Sequence, residues 1–186
     1  MAAAILMATV RTAFRAATDR VSPLETMMAV ERALAEDLAN ANNFVTAIHV
    51  RLDYARHLMR YVDAGHGYGF VCRANGTVDH LAHRGFPLGI DPEIARPLPR
   101  QETTLMLDPG DALVMHSDGV VDAPEAEGID IPSLAASLLT AGPASEMVTA
   151  MADRVGGQFH LPDDLTIVVV RRLANDGRRM NLPPRV

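Results

Sequence analysis

The chain has 186 residues, 48% apolar and 22% charged, a composition that fits a soluble globular domain and excludes disorder for its bulk. Its 17 Lys and Arg against 23 Asp and Glu leave a net charge of −6, so no general basic field exists to attract nucleic acid or an anionic membrane. One cysteine, Cys72, excludes an internal disulfide; without any Cys/His cluster at zinc spacing it points to a reducing compartment, the cytoplasm by default.

The apolar start, Met1 to Ala8, has no basic residue before it and is interrupted by Arg11 and Arg15. Neither a secretory signal nor a membrane span is expected there. An acid-poor, Arg-bearing start also imitates a mitochondrial presequence, but an amphipathic core helix over residues 2–18 accounts for Ile5, Leu6, Val10 and Phe14 at helical spacing. A second helix should open at Ser22-Pro23-Leu24-Glu25, an N-cap serine with proline at the first position and glutamate at the third. It should run to about Asn40 and bury Leu24, Met27, Met28, Leu34 and Leu38.

From Phe44 the apolar period shortens to two. Ile48, Val50 and Leu52 alternate with Ala47, His49 and Arg51, predicting a strand, and Leu58 to Asp63 predicts the next. Tyr68 to Arg73 and Thr77 to Leu81 flank Asn75-Gly76, a hairpin signal in which both turn positions take positive φ. A further hairpin is expected from Thr103 to Leu107 and Ala112 to His116 around Asp108-Pro109-Gly110-Asp111. Helical segments follow at 132–139 and 143–155, the second with Met147, Met151 and Val155 on one side. Leu165 to Val170 is a continuous apolar run suited to a strand covered on both faces. Residues 174–186 have the composition of a flexible, solvated tail. Neighbouring strands joined by tight turns, with helices before and after, predict an α+β layered domain. There is no strand–helix alternation and no Gly-rich phosphate loop.

Two aspartate positions carry the chemistry. Asp118, in Val114-Met115-His116-Ser117-Asp118-Gly119-Val120, and Asp163, in Leu161-Pro162-Asp163-Asp164-Leu165-Thr166, each sit at the end of a strongly apolar, β-branched segment. A sheet can bring such remote carboxylates together around a hard cation. Each has a plainer reading as a surface turn, although adjacent carboxylates leading into a buried strand are costly to desolvate without a cation. His66, in Asp63-Ala64-Gly65-His66-Gly67, could serve as a general acid or merely bond neighbouring backbone.

In this order, Phe44-Val45-Thr46-Ala47, Asp63-Ala64-Gly65-His66, Gly85-Phe86-Pro87-Leu88-Gly89, Leu107-Asp108-Pro109-Gly110-Asp111, Ser117-Asp118-Gly119-Val120 and Pro162-Asp163-Asp164-Leu165-Thr166 resemble the metal-dependent PPM-type serine/threonine phosphatases. The branch resembled is the bacterial, SpoIIE-type one, of sporulation and stress-response sigma-factor regulation. The likeness covers about residues 3–172. It implies an αββα sandwich of antiparallel sheets over residues 1–173 and a two-ion Mn²⁺ or Mg²⁺ centre. It implies Asp118 and Asp163 as metal ligands, with Asp164, Gly119 and His66 as outer neighbours. The implied partner is a phosphorylated regulatory protein such as an anti-sigma factor antagonist.

The family carries further aspartates on strands before the first helix, and relative to it this chain reads as N-terminally truncated. Three accounts fit that departure: a fragment of a longer protein, a catalytically inactive domain kept as a protein-interaction module, or a truncated enzyme that borrows ligands. In each, an exposed sheet edge is expected to be available for association.

Overall fold

The structure, a computed structural model, describes residues 2–17, 22–82, 84–123, 128–140, 142–156 and 164–173. In chain order its elements begin with α1 (Ala2–Ala17), α2 (Pro23–Ala41), β1 (Ala47–Asp53), β2 (Leu58–Ala64), β3 (Gly69–Cys72) and β4 (Val78–His80). There follow β5 (Arg84–Gly85), α3 (Pro92–Ala95), β6 (Thr103–Met106), β7 (Ala112–His116), α4 (Ile131–Ser137), α5 (Ala144–Gly156) and β8 (Ile167–Arg171). They form two interleaved compact units, Met1–Tyr68 with Leu81–Met106 and Gly69–His80 with Leu107–Val186. No helix among the described residues is long and apolar enough to cross a membrane.

In the first unit β2 is the central strand, antiparallel to β1 and β6 and parallel to the two-residue β5. Much of the helical stripe read from the sequence packs here: Val10, Met27, Leu34 and Leu38 are buried with Val30, Val62, Ala64 and Leu88, whereas Ile5 is 65% exposed. Met28, expected inside, is 46% exposed, because the face of α2 set by Met27, Leu34 and Leu38 turns it outward. Ser22 caps α2 as predicted, its hydroxyl accepting from Leu24 N at 3.2 Å, and Pro23 opens the helix. Glu102 joins this cap from just before β6, bonded to Ser22 Oγ and accepting from Leu24 N at 3.2 Å. Burial alone would raise the Glu102 pKa, but the bonds from Ser22 and Leu24 and the nearby Arg60 hold it below the ordinary carboxylate value.

The second unit orders its sheet β4-β3-β7-β8, antiparallel throughout. Its core joins Phe70, Cys72, Ala112 and Val114 to Ile131, Ala135, Met147, Met151 and Val155, so the predicted stripe of α5 faces inward. Cutting Met147 or Met151 back to Ala would cost about 2–5 kcal/mol by the usual cavity penalty.

Three local expectations give way. Thr103–Met106 and Ala112–His116 do not pair: β6 pairs with β2 and β7 with β3 and β8, although the turn between them closes through Asp111 N to Asp108 O at 3.0 Å. The turn signal is local, whereas partner choice is decided by distant strands. At Asn75-Gly76 only the glycine has positive φ, +87°. The hairpin closes one residue wider, with Arg73 N bonded to Thr77 O at 2.8 Å, and Asn75 Oδ1 accepts from Thr77 N at 3.0 Å. The run that predicted a doubly covered strand becomes β8, which among the described residues pairs only with β7, leaving Val168 43% exposed. Its apolar composition records a hydrophobic segment without saying where the sheet ends. In the first sheet β1 likewise pairs only with β2 among the described strands. Residues 174–186, predicted as tail, lie outside the described residues.

Candidate functional site

Strand β7 is buried along Ala112, Leu113, Val114 and His116, and its last residue faces Ile167 of β8. The ladder continues past both strands. Ser117 N donates to Thr166 O at 3.0 Å, Thr166 N donates to Ser117 Oγ at 3.0 Å, and Ser117 Oγ donates to Asp164 O at 3.1 Å. The hydroxyl thus uses one acceptor and one donor function to tie together two segments 47 residues apart.

Immediately after this knot the backbone tightens into a single 3-10 turn, Asp118–Val120. Val121 N and Asp122 N both donate to Asp118 O, at 2.8 and 2.9 Å. Asp118 is exposed, while Gly119 and Val120 are buried, so the carboxylate stands at the rim of a turn whose remainder is packed. Its Oδ1 accepts from Gly119 N at 3.0 Å, a bond that limits rotation of the carboxylate. His116 lies just inside the turn, its Nδ1 2.9 Å from Ser117 O and its ring edge-on to Phe70.

Of the residues predicted for the site, the structure brings Asp118, Gly119 and Asp164 to one end of the β7–β8 pair, with Asp164 exposed. Asp163 lies outside the described residues. His66 belongs to the first unit. There its amide donates to Asp63 Oδ1 at 2.7 Å, Gly67 N donates to Asp63 Oδ2 at 2.9 Å, and its ring meets Tyr68 edge-on at 5.9 Å. Sequence reasoning passed over Ser117, because its partners are set by sheet register. It also passed over the buried Asp63, whose turn-closing role was signalled by two glycines within four residues.

The sequence profile of "Stage II sporulation protein E (SpoIIE)" matches residues 1–173, nearly the whole chain and every segment just described. The chain belongs to the SpoIIE family. Phosphoserine phosphatase RsbU of Bacillus subtilis is 26% identical over 159 residues, 82% of this chain and 46% of RsbU. The structure of the RsbU and RsbW domains of Rv1364c from Mycobacterium tuberculosis superposes with a TM-score of 0.77 at 23% identity, covering 92% of this chain and 48% of that one. The Mn-presoaked phosphatase domain of SpoIIE from Bacillus subtilis gives 0.57 at 18% identity, covering 93% and 76%. These likenesses establish the fold class, α+β with antiparallel sheets, as that of the PPM phosphatases. The SpoIIE-family chain spans about half the length of RsbU and of the Rv1364c chain.

RsbU is by name a phosphoserine phosphatase, and RsbX, a solved relative in fold, was crystallised in complex with magnesium. The exposed carboxylates of Asp118 and Asp164 are hard oxygen donors of the kind a divalent cation takes. Among the described residues no three His, Cys, Asp or Glu side chains converge on one point.

Proposed function

We propose that this chain is the phosphatase portion, residues 1–173, of a metal-dependent protein phosphatase. It would hydrolyse phosphoserine or phosphothreonine on a bacterial regulatory protein such as an anti-sigma factor antagonist. The observation that carries the reading is the Ser117 knot, which sets the Asp118 turn against the 164–166 segment in a chain matched over residues 1–173 by the SpoIIE profile. Asp118 and Asp163 are the proposed ligands of Mn²⁺ or Mg²⁺, with Asp164 and Gly119 beside them. Bound divalent cations supply an activated water and stabilise charge on the transferring phosphoryl group. The chain's own contribution is placement. Gly119 N–H orients the Asp118 carboxylate, the buried Gly119-Val120 pair fixes the turn, and two bonds on Asp118 O hold the backbone behind it.

A second reading is a phosphatase-like protein-interaction module. The two are separated by mixing the chain with a phosphoserine-bearing regulator peptide in the presence of Mn²⁺ or of chelator. Phosphate release that chelator stops supports the phosphatase. Peptide binding that is indifferent to chelator, without phosphate release, supports the module.

A further inference from the structure

The structure assigns Ser117 as a positioning residue that fixes the spacing between the Asp118 turn and the Asp164–Thr166 segment; this rests on the reading of Asp118 as a divalent-cation ligand. Sheet ladders normally leave the first residues beyond a strand free to splay. Here the last backbone bond of the β7–β8 ladder, Ser117 N to Thr166 O, is followed by a side chain that reaches across and occupies two further groups of the facing strand. Thr166 N has its acceptor in Ser117 Oγ, and Asp164 O has a donor in the same atom. Asp118 follows Ser117 directly and Asp163 precedes Asp164 directly. A change in the Ser117 bridge is thus transmitted to Asp118 through one peptide unit and to Asp164 through its bonded carbonyl.

Ser117 is half-buried and its hydroxyl bonds backbone groups, Asp164 O and Thr166 N, rather than the Asp118 carboxylate, so its action is indirect. An outer hydrogen bond that orients a ligand typically changes metal affinity 10–100-fold when removed. A merely structural serine would alter stability and leave affinity for Mn²⁺ unchanged.

The test compares Ser117→Thr, which keeps the hydroxyl, with Ser117→Val, which has the same shape without it, beside Ser117→Ala and Asp118→Asn. Two readouts are taken on the full 186-residue chain: Mn²⁺ affinity from the spectrum of free Mn²⁺, and hydrogen exchange at the Thr166 amide. Ser117→Val and Ser117→Ala should bind Mn²⁺ about 10–100-fold more weakly and expose the Thr166 amide to faster exchange, while Ser117→Thr stays close to the wild type in both. If Asp118→Asn abolishes Mn²⁺ binding but Ser117→Val binds like Ser117→Thr, the positioning role is overturned and the ligand reading stands. If Asp118→Asn binds Mn²⁺ as the wild type does, or the wild type binds none, both are overturned.

Discussion

Asp111 holds Arg73 Nη1 2.8 Å from one carboxylate oxygen and the Ala74 amide 2.8 Å from the other, in a residue that is only 1% exposed. Asp108 N adds a third bond at 2.9 Å, so the carboxylate locks the 73–77 hairpin onto the 108–111 turn. Arg73 in turn bonds Asp79 at 2.7 Å.

Removing this carboxylate leaves two backbone amides without their acceptor and takes one of its acidic partners from the part-buried Arg73 guanidinium, which keeps Asp79. Asp111→Ala should destabilise the chain by about 3–5 kcal/mol, the usual result of breaking a buried ion pair from one side. Urea unfolding measures it. Asp111→Asn, which keeps one acceptor oxygen, should cost visibly less; equal losses would mean that the retained oxygen contributes nothing and the charge carries the whole effect.

Gly65 has φ +76°, and a Cβ placed there would meet Pro87 Cγ at 2.7 Å. The Asp63-Ala64-Gly65-His66 and Gly85-Phe86-Pro87-Leu88-Gly89 segments, separate in sequence, are thus packed together at a glycine. Gly65→Ala should lower stability by about 1–3 kcal/mol through overpacking and a strained backbone. A thermal melt unchanged by the substitution would contradict this.

His49 on β1 is stacked on Phe14, with ring centroids 5.9 Å apart, and its buried Nε2 has no hydrogen-bond partner among the described residues. Burial first, and the positive charge of Arg51 second, lower its pKa from the ordinary 6.5. The unfolded chain therefore takes up a proton at His49 before the folded chain does, and stability falls as pH drops below about 6.5 toward the lowered folded value. Above that window His49 is neutral in both states and contributes no slope. Melting temperatures from pH 8 to pH 5 should decline less steeply for His49→Gln than for the wild type; identical slopes would refute the assignment.

Cys72 is buried in the second core, where desolvation, and then the charge of Asp111, push its thiol up to about 11. Thiolate is the nucleophile, so folded protein at pH 8 should be alkylated by iodoacetamide far more slowly than a free thiol. Mass spectrometry should show rapid labelling only after denaturant is added.

What could be read from the sequence was local. Ser22-Pro23 capped α2 as written, the Met147-Met151-Val155 stripe faced its core, and Ser117-Asp118-Gly119 ended its strand in a turn. What could not be read depended on partners far along the chain. Thr103–Met106 pairs with β2 rather than β7, Glu102 caps a helix whose first turn lies 78 residues away, and Val168 is half-uncovered at a sheet edge. No periodicity encodes such choices, because they follow from which surfaces meet once the local elements exist. At the site, the Asp118 turn was legible from its glycine, whereas the Ser117 bridge exists only through the β7–β8 register.

The central claim is that Asp118 serves a metal-dependent phosphatase. Its most direct test is the rate of phosphate release from a phosphoserine peptide by the 186-residue chain at saturating Mn²⁺, measured side by side for the wild type and Asp118→Asn. The account predicts turnover for the wild type that chelator abolishes, and a loss of at least about 100-fold in Asp118→Asn, as for removal of a group that stabilises the transition state. Metal-dependent turnover that survives Asp118→Asn undiminished would contradict it.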